Sequence, residues 1–166
     1  KLTGEEVMQV FTAYGIPSVK TISAANVEDA VTAAESIGFP VALKIKSPDI
    51  SHKSDVGGII LELASAESVR HSAIAMQKRI KKSTPKARLE GFTIQQMASW
   101  RGGYELIVGM MSDNQFGPVI MFGDGGTAVE VIDDKALALP PLNVLLAQRM
   151  VESTRIYKQL KGFRDR

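Results

Sequence analysis

Two apolar runs separated by a polar loop form the clearest pattern in this chain. Val41–Ile45 and Ile59–Leu63 are rich in Val, Ile and Leu, as the strands of a half-buried sheet are. The Pro, Asp, Ser and Gly residues between them are typical of a loop. The segment from Pro40 to Leu63 therefore predicts a hairpin whose two strands are joined by a long polar connection.

Apolar residues at three-to-four spacing predict four helices. Thr3 and Glu6 have the spacing of a capping box, and Gly15 ends the first helix. Asn26 is placed to cap the second helix, which runs to Gly38. The apolar positions are Val7, Phe11 and Tyr14 in the first helix, Val27, Ala30, Val31, Ala34 and Ile37 in the second, and Val69, Ala73, Met76 and Ile80 in the third, while the fourth helix runs from Asn143 to Thr154.

The remaining apolar runs predict further strands and a mixed fold. Helices combined with antiparallel hairpins favour an α+β fold over a doubly wound parallel sheet. The periodicity changes across Ser99–Gly103, so we expect one lobe over residues 1–98 and the start of a second over residues 104–166. We expect the second sheet to leave apolar surface exposed or covered by another chain. The strands are expected at Val19–Ile22, Phe92–Met97, Tyr104–Met111, Pro118–Phe122 and Thr127–Ile132.

Composition narrows the class of protein. The 166 residues are 45% hydrophobic and 23% charged, which is enough to bury a core. Lys and Arg number 20 against 18 Asp and Glu, and this balance argues against nucleic acid or an anionic membrane as partner. The sequence has no Cys, no apolar run of membrane-spanning length and no signal-peptide pattern, so we expect a cytoplasmic protein without disulfides.

The loop between the first two apolar runs gathers groups that bind anions. Lys44 lies on the first strand, and the loop holds His52, Lys53, Ser54 and the pair Gly57-Gly58. Cationic side chains, a hydroxyl and open backbone amides can converge on one phosphate. The same residues are also typical of a solvated strand and its connection, so the residues alone leave both interpretations open.

Five segments carry a resemblance to a known family. They are LTGEEVMQVFTAYGIP, GFPVALKIKSPDISHKSDVGGI, TIQQM, GGYELIVGMMSDNQFGPVIMFGDGGTAVEV and ALPPLNVLLAQRM. The chain resembles the nucleotide-binding domain of the NDP-forming acyl-CoA synthetases, a branch of the ATP-grasp fold related to the succinyl-CoA synthetase beta subunit. The same domain also accompanies an acetyltransferase domain in proteins resembling protein acetyltransferases, where its own catalysis can be lost.

The resemblance implies that ATP or ADP binds between a small lobe and the truncated start of a large lobe. Lys44 would approach the phosphates as a point charge. Gln95–Ala98 match the segment that joins the lobes, where the backbone pairs with adenine and Met97 packs on the ring. Glu105 matches an acidic position near the nucleotide, although by itself it is an ordinary surface carboxylate. The nucleotide-binding residues implied are Lys44, Lys53, Ser54, Gly57, Gly58, Gln95, Gln96, Met97, Ala98, Glu105, Gly123, Gly125 and Gly126.

A second glycine loop spans Gly123 to Gly126. Glycines permit close backbone approach to a ligand, but the same pattern marks a tight turn, so its functional interpretation rests on the family. Glu130 matches a position that orients this loop, and a solvent-facing glutamate is the alternative.

His52 is the residue to which the resemblance gives a catalytic role. In the ADP-forming branch, phosphate passes from an acyl phosphate to a histidine on another subunit or domain, then to the histidine of this loop, and finally to ADP. An imidazole nitrogen can accept and release a phosphoryl group. Lys53 would be its electrostatic partner and Asp55 an orienting carboxylate. The other histidine, His71, is expected to be structural or solvated.

One departure from the family limits the catalytic prediction. The family's magnesium-binding motif, an acidic residue followed by an Asn-Pro pair, is missing. We therefore assign no metal ligands, expect Mg²⁺ to be bound by residues outside this chain, and expect the chain alone to be inactive. A CoA-binding subunit or domain is the expected partner, and an oligomer is left open. Two functions remain, a part of an acid–CoA ligase or a noncatalytic regulatory or scaffolding module of an acetyltransferase, and the intact loop favours the ligase.

Overall fold

The chain divides into two compact units, Lys1–Ser99 and Trp100–Arg166. The structure is a computed structural model that describes residues 4–98, 103–126 and 132–162. Each unit has its own antiparallel sheet, with four strands in the first and three in the second.

The first unit is a four-stranded sheet with three helices. Its strand order is β1-β4-β2-β3, and every neighbouring pair is antiparallel. The central pair aligns Lys44 with Thr93 and Ala42 with Gln95. The elements are α1 Gly4–Ala13, β1 Thr21–Ala24, α2 Val27–Ile37, β2 Val41–Lys46, β3 Ile59–Leu63, α3 Ala66–Ser83 and β4 Gly91–Gln96.

One face of this sheet packs in the core, and the other carries polar side chains. Along β4, Phe92 and Ile94 are fully buried, whereas Thr93 and Gln95 are only half-buried. This alternation is what an antiparallel strand shows when helices cover one face of the sheet. The covered face packs against apolar residues of α2 and α3, namely Ala30, Val31, Ala34, Val69, Ala73, Met76 and Ile80.

Local signals begin the two long helices of this unit. The Asn26 side chain accepts a hydrogen bond from the Asp29 backbone N–H at 2.9 Å, which caps α2. Ser65 and Ser68 form a reciprocal capping box at the start of α3. Among the described residues, no helix is both long and apolar enough to cross a membrane.

The second unit contains a three-stranded antiparallel sheet, and its described residues include two helices that follow the sheet. Its strands follow the order β5-β6-β7, and Asn143 caps α4 by accepting from the Leu146 backbone N–H at 2.9 Å. Large apolar side chains remain exposed within this unit, as predicted, including Val108, Met110 and Val144. The elements are β5 Leu106–Asp113, β6 Gly117–Asp124, β7 Lys135–Ala138, α4 Val144–Glu152 and α5 Tyr157–Leu160.

The mixed α+β class is confirmed, with corrections at particular elements. The first strand lies at Thr21–Ala24 and not at Val19–Ile22, because its pairing with β4 begins at Thr21. The strand β7 was not predicted. Of the strand predicted at Thr127–Ile132, residues 127–131 lie outside the described residues, and Ile132 is helical. The predicted cap Thr3 also lies outside them.

Candidate functional site

Residues 47–58 connect β2 to β3, and the first half of this loop is anchored by Asp49 and Ile50. Arg88 donates to the Asp49 carboxylate from its backbone N at 2.8 Å, from Nε at 3.0 Å and from Nη2 at 2.9 Å. These bonds from the Arg88 side chain and backbone lower the pKa of Asp49 to about 2. Ile50 is buried in the core. The chain therefore leaves β2 along a fixed path.

Two glycine amides close the second half of the loop. The Gly57 N–H donates to the Ser54 carbonyl at 3.0 Å, and the Gly58 N–H donates to the Lys53 carbonyl at 2.6 Å. In this conformation both amides are engaged within the loop. The nucleotide-binding role of Gly57 and Gly58 therefore stays a prediction, and their observed role is to shape the turn.

The requirement for glycine at these positions is steric. Gly57 has a φ of +63°, and Arg79 of α3 donates from Nη2 to its carbonyl at 2.8 Å. At Gly58 an added Cβ would lie 2.6 Å from Ile45 Cγ2. A side chain at Gly58 would therefore push the loop away from the core.

The tip of the loop lies between these two anchored halves. His52, Ser54 and Asp55 are exposed, and Lys53 is half-buried. The His52 imidazole makes no hydrogen bond to other described residues, so its ring nitrogens are accessible to a reactant. The predicted orienting contact from Asp55 is likewise not formed among these residues.

Lys44 is half-buried on the polar face of the sheet and takes part in a series of hydrogen bonds. Its Nζ donates to Gln95 Oε1 at 2.5 Å, and Gln95 Nε2 donates to Thr21 Oγ1 at 3.2 Å. The Thr21 hydroxyl donates to the Val19 carbonyl at 3.0 Å. Burial, and after it the positive charge of Lys53, lowers the pKa of Lys44. Two lysine charges that repel each other are stabilised when an anion lies between them.

The end of β4 carries the segment predicted to contact adenine. The Gln96 N–H donates to the Lys20 carbonyl at 2.9 Å, and the Met97 N–H donates to the Pro40 carbonyl at 3.4 Å. Met97 is half-buried, while Gln96 and Ala98 are exposed. The adenine contact stays a prediction.

In the second unit, the structure brings Glu105 together with the second glycine loop. The Gly125 N–H donates to the Glu105 carbonyl at 2.8 Å, and a Cβ added at Gly126 would lie 2.9 Å from Glu105 Oε2. Gly123 is packed against the neighbouring strand, since a Cβ there would lie 2.4 Å from the Asp134 carbonyl oxygen. Glu130 lies outside the described residues.

Asp134 connects this sheet to the C-terminal turn and was not predicted. Its carboxylate accepts from the backbone N–H groups of Arg155 at 2.9 Å and Ile156 at 2.7 Å. Burial by itself would raise the pKa of Asp134, but these amide hydrogen bonds and the Arg155 charge outweigh it and lower that pKa. A cavity of 180 Å³ lies beside this residue and Gly123.

Neither histidine of the chain belongs to a metal site in the described part of the structure. His71 is exposed on α3, away from other titratable groups that could share a metal. Within residues 4–98, 103–126 and 132–162, no group of three or more His, Asp or Glu side chains is placed to hold a metal ion.

In the first unit, Lys44 lies close enough to Lys53 for the two positive charges to interact, and two neighbouring cations favour an anionic ligand. The chain belongs to the ATP-grasp family, because the family model described as "ATP-grasp domain" matches residues 1–166. ATP-grasp domains bind ATP or ADP.

Relatives and solved structures place the chain within one branch of this family. The ADP-forming acetate–CoA ligase I of Archaeoglobus fulgidus is 43% identical over 164 residues, which are 99% of this chain and 24% of the ligase. The beta subunit of ADP-forming acetate–CoA ligase I from Pyrococcus furiosus is 37% identical over 98% of this chain and 69% of the subunit. The chain thus spans about a quarter of the first relative's length.

A solved structure has the same fold. It is the dinucleotide forming acetyl-coenzyme A synthetase 1 of Ca. Korarchaeum cryptofilum in complex with coenzyme A, Ca-AMPCP and HgCl⁺. The TM-score is 0.88 and the sequence identity 41%, over 97% of this chain and 69% of that chain.

Proposed function

We propose that this chain is the nucleotide-binding part of an NDP-forming acyl-CoA synthetase. The complete enzyme would interconvert acyl-CoA, ADP and phosphate with acid, CoA and ATP. The ligase relatives support this function over a noncatalytic module of an acetyltransferase. The observation that carries the proposal is the exposed His52 imidazole at the tip of a loop held at both ends.

The lysines Lys44 and Lys53 would bind the nucleotide phosphates. The repulsion between the two lysines and the partial burial of Lys44 both disfavour the charged form of Lys44. A phosphate nearby would stabilise both positive charges. In the second unit, Glu105 and the glycines from Gly123 to Gly126 are the residues that the family resemblance assigns to nucleotide binding. The adenine edge would meet the backbone of Gln95–Ala98.

His52 would carry the phosphoryl group in a two-step relay. In the first step, an imidazole nitrogen of His52 attacks the phosphorus of a phosphohistidine on the partner, and the P–N bond to the partner breaks. In the second step, the terminal phosphate oxygen of ADP attacks the phosphorus on His52, and that P–N bond breaks to give ATP. Lys53 would offset the negative charge in both transfers.

A divalent cation is expected with the nucleotide, since the related synthetase structure contains Ca-AMPCP. The described residues do not fit such an ion, because no acidic cluster among them could hold a metal. We therefore assign no step to Mg²⁺ and no metal ligand among the described residues.

The proposed partner is a CoA-binding subunit or domain that supplies the phosphohistidine. Since the chain spans 69% of a beta subunit that is itself one part of a ligase, we propose that it does not complete the reaction alone. The acid and CoA sites would belong to the partner, so the acyl group is not specified by these residues.

The test is to map the phosphate in the full-length protein that contains this chain, together with its partner. After incubation with acetyl-CoA and labelled phosphate, acid-labile label should be found on His52 by mass spectrometry. His52→Asn should abolish ATP formation but leave label on the partner's histidine, because only the second acceptor is lost.

His71→Asn is the matched control, since it removes the other histidine from an exposed helix position. This variant should make ATP at the rate of the unmodified protein. Normal ATP formation by His52→Asn would overturn the relay.

A further inference from the structure

The hydrogen bonds that converge on Lys44 have only one consistent set of directions. The Thr21 hydroxyl has a single proton, which it donates to the Val19 carbonyl. Thr21 Oγ1 must therefore accept from Gln95, so the Gln95 amide nitrogen faces Thr21 and its oxygen faces Lys44. A flipped amide would place two donors against each other at Lys44 and leave Thr21 without a proton to give.

This series of hydrogen bonds determines where the Lys44 ammonium lies. A lysine side chain is flexible, and an unpaired ammonium in a half-buried position would turn toward water. Gln95 Oε1 takes one of the three ammonium protons at 2.5 Å, which leaves the other two for a ligand. The acceptor is fixed across the sheet by Thr21 on a strand that is not adjacent to β2.

We propose that Gln95 and Thr21 are positioning residues that hold the Lys44 ammonium for the phosphates of the nucleotide. The inference rests on the proposed function and gives Gln95 a role different from the backbone contact with adenine expected from the family resemblance. The roles of the two residues differ, since Gln95 contacts Lys44 and Thr21 acts through Gln95.

The neutral amide of Gln95 matters for the charge of the site. A carboxylate at this position would also accept from Lys44, but it would cancel the charge that a phosphate requires and raise the pKa of the ammonium. An amide oxygen orients the ammonium and leaves its charge uncompensated. The lowered pKa of Lys44 is consistent with an acceptor that carries no charge.

The first test replaces Thr21 with Val in the full-length protein. Val has nearly the same shape and the same preference for strands, so the change removes one hydroxyl and little else. ADP affinity measured by isothermal titration should fall about two- to tenfold, the range of one lost hydrogen bond. Thr21→Ser keeps the hydroxyl and should restore most of the affinity.

Ser23→Val is the matched control for this substitution. Ser23 lies on the same strand and the same face as Thr21, two residues along, and it pairs with Thr93 and not with Gln95. ADP affinity should stay at the level of the unmodified protein. Equal losses in Thr21→Val and Ser23→Val would overturn the inference, because they would point to a general effect on the strand.

The second test replaces Gln95 with Glu and follows ADP affinity against pH. Lys44 binds phosphate as the cation, so affinity is lost as pH rises through the pKa of Lys44. In Gln95→Glu, affinity at neutral pH should fall, and the alkaline loss should move to higher pH. A variant that only disturbs folding would lower affinity without this displacement, and an unmoved pH profile would overturn the role of Gln95.

Lys44→Ala separates this inference from the proposed function. If Lys44→Ala leaves ADP affinity unchanged, the phosphate role of Lys44 and the positioning inference both fail, whereas the proposed function fails only on normal ATP formation by His52→Asn. If Lys44→Ala weakens binding and Thr21→Val does not, only the positioning inference fails. If each substitution alone weakens ADP binding, adding Thr21→Val to Lys44→Ala should cause no further loss of affinity, because the two changes act on one interaction.

Discussion

Arg88 and Asp49 meet through three hydrogen bonds, although 39 residues separate them in the sequence. Both oxygens of the carboxylate are used, and the guanidinium donates in the two-pronged geometry that favours Arg over Lys. This contact fixes the beginning of the loop that carries His52 to the segment before β4. The position of the loop therefore depends on a charge that acid can remove.

The first prediction concerns acid stability. The pKa of Asp49 is lowered from 3.8 to about 2 in the folded protein, so its stabilising contribution is present above pH 3.8 and is lost as the pH falls toward 2. Asp49→Asn should lower the thermal unfolding midpoint at neutral pH, and the difference from the unmodified protein should shrink between about pH 4 and pH 2. Calorimetry between about pH 4 and pH 2 measures this difference in unfolding midpoint.

Glu35→Gln is the control for this titration, since Glu35 is an exposed carboxylate on α2. It should leave the thermal unfolding midpoint at neutral pH unchanged. A difference between Asp49→Asn and the unmodified protein that stays constant down to pH 2 would contradict the role of the Asp49 charge.

The second prediction concerns the close packing at Gly58. A Cβ at this position would lie 2.6 Å from Ile45 Cγ2 and 3.0 Å from the Lys53 carbonyl oxygen. Gly58→Ala should therefore lower the free energy of unfolding by about 1–3 kcal/mol, the usual cost of overpacking. Gly4→Ala, where a Cβ meets nothing within 4 Å, should change it by less than about 0.5 kcal/mol. Denaturant unfolding compares the two, and equal effects would count against the steric argument.

The third prediction concerns Asp134 as a cap of the C-terminal turn. Asp134→Ala removes the acceptor of two backbone N–H groups, so the free energy of unfolding should fall by about 0.5–2 kcal/mol. The amide protons of Arg155 and Ile156 should then exchange faster with deuterium. Asp134→Asn retains a side-chain oxygen and should keep most of the protection. Unchanged exchange in Asp134→Ala would show that the carboxylate is dispensable.

The fourth prediction concerns the charge of Lys44 in nucleotide binding. Lys44→Ala in the full-length protein should weaken ADP binding by about 1.5–3 kcal/mol, the range for a hydrogen bond to a charged group. Lys78→Ala removes the same charge from an exposed position on α3 and should leave ADP affinity unchanged at matched salt. If both variants lose affinity equally, the effect comes from net charge and not from a contact at Lys44.

Local patterns were sufficient to predict four helices and most of the strands, but not the short helix α5. Val69, Ala73, Met76 and Ile80 of α3 are all buried, because a helix that lies on a sheet must turn its apolar stripe inward. The strand β7 escaped prediction because its sequence, KALA, is short and contains no β-branched or aromatic residue. Its position is set by pairing with β6, which no local pattern contains.

The candidate site was predictable only in part, for a different reason. Lys44 and His52 were proposed from the sequence because their residue types carry the chemistry, and their roles stay predictions. Thr21 and Gln95 are 74 residues apart, and their contact arises from the strand order of the sheet. The amides of Gly57 and Gly58 close turns within the loop, which the sequence does not show, because it gives the position of a glycine but not the direction of its N–H. Their phosphate-binding role stays a prediction.

Ile50 divides the loop between β2 and β3 into a part that belongs to the core and a part that does not. The residues from Ser51 to Asp55 are exposed or half-buried, so the length of this segment can change without repacking the sheet, whereas Val56 packs against the core. The distance that the His52 imidazole can reach is thus set by this short segment, whereas the stability of the first unit is set by its core. To move His52 toward a different phosphoryl acceptor, a protein engineer would lengthen this segment and leave both of its ends unaltered.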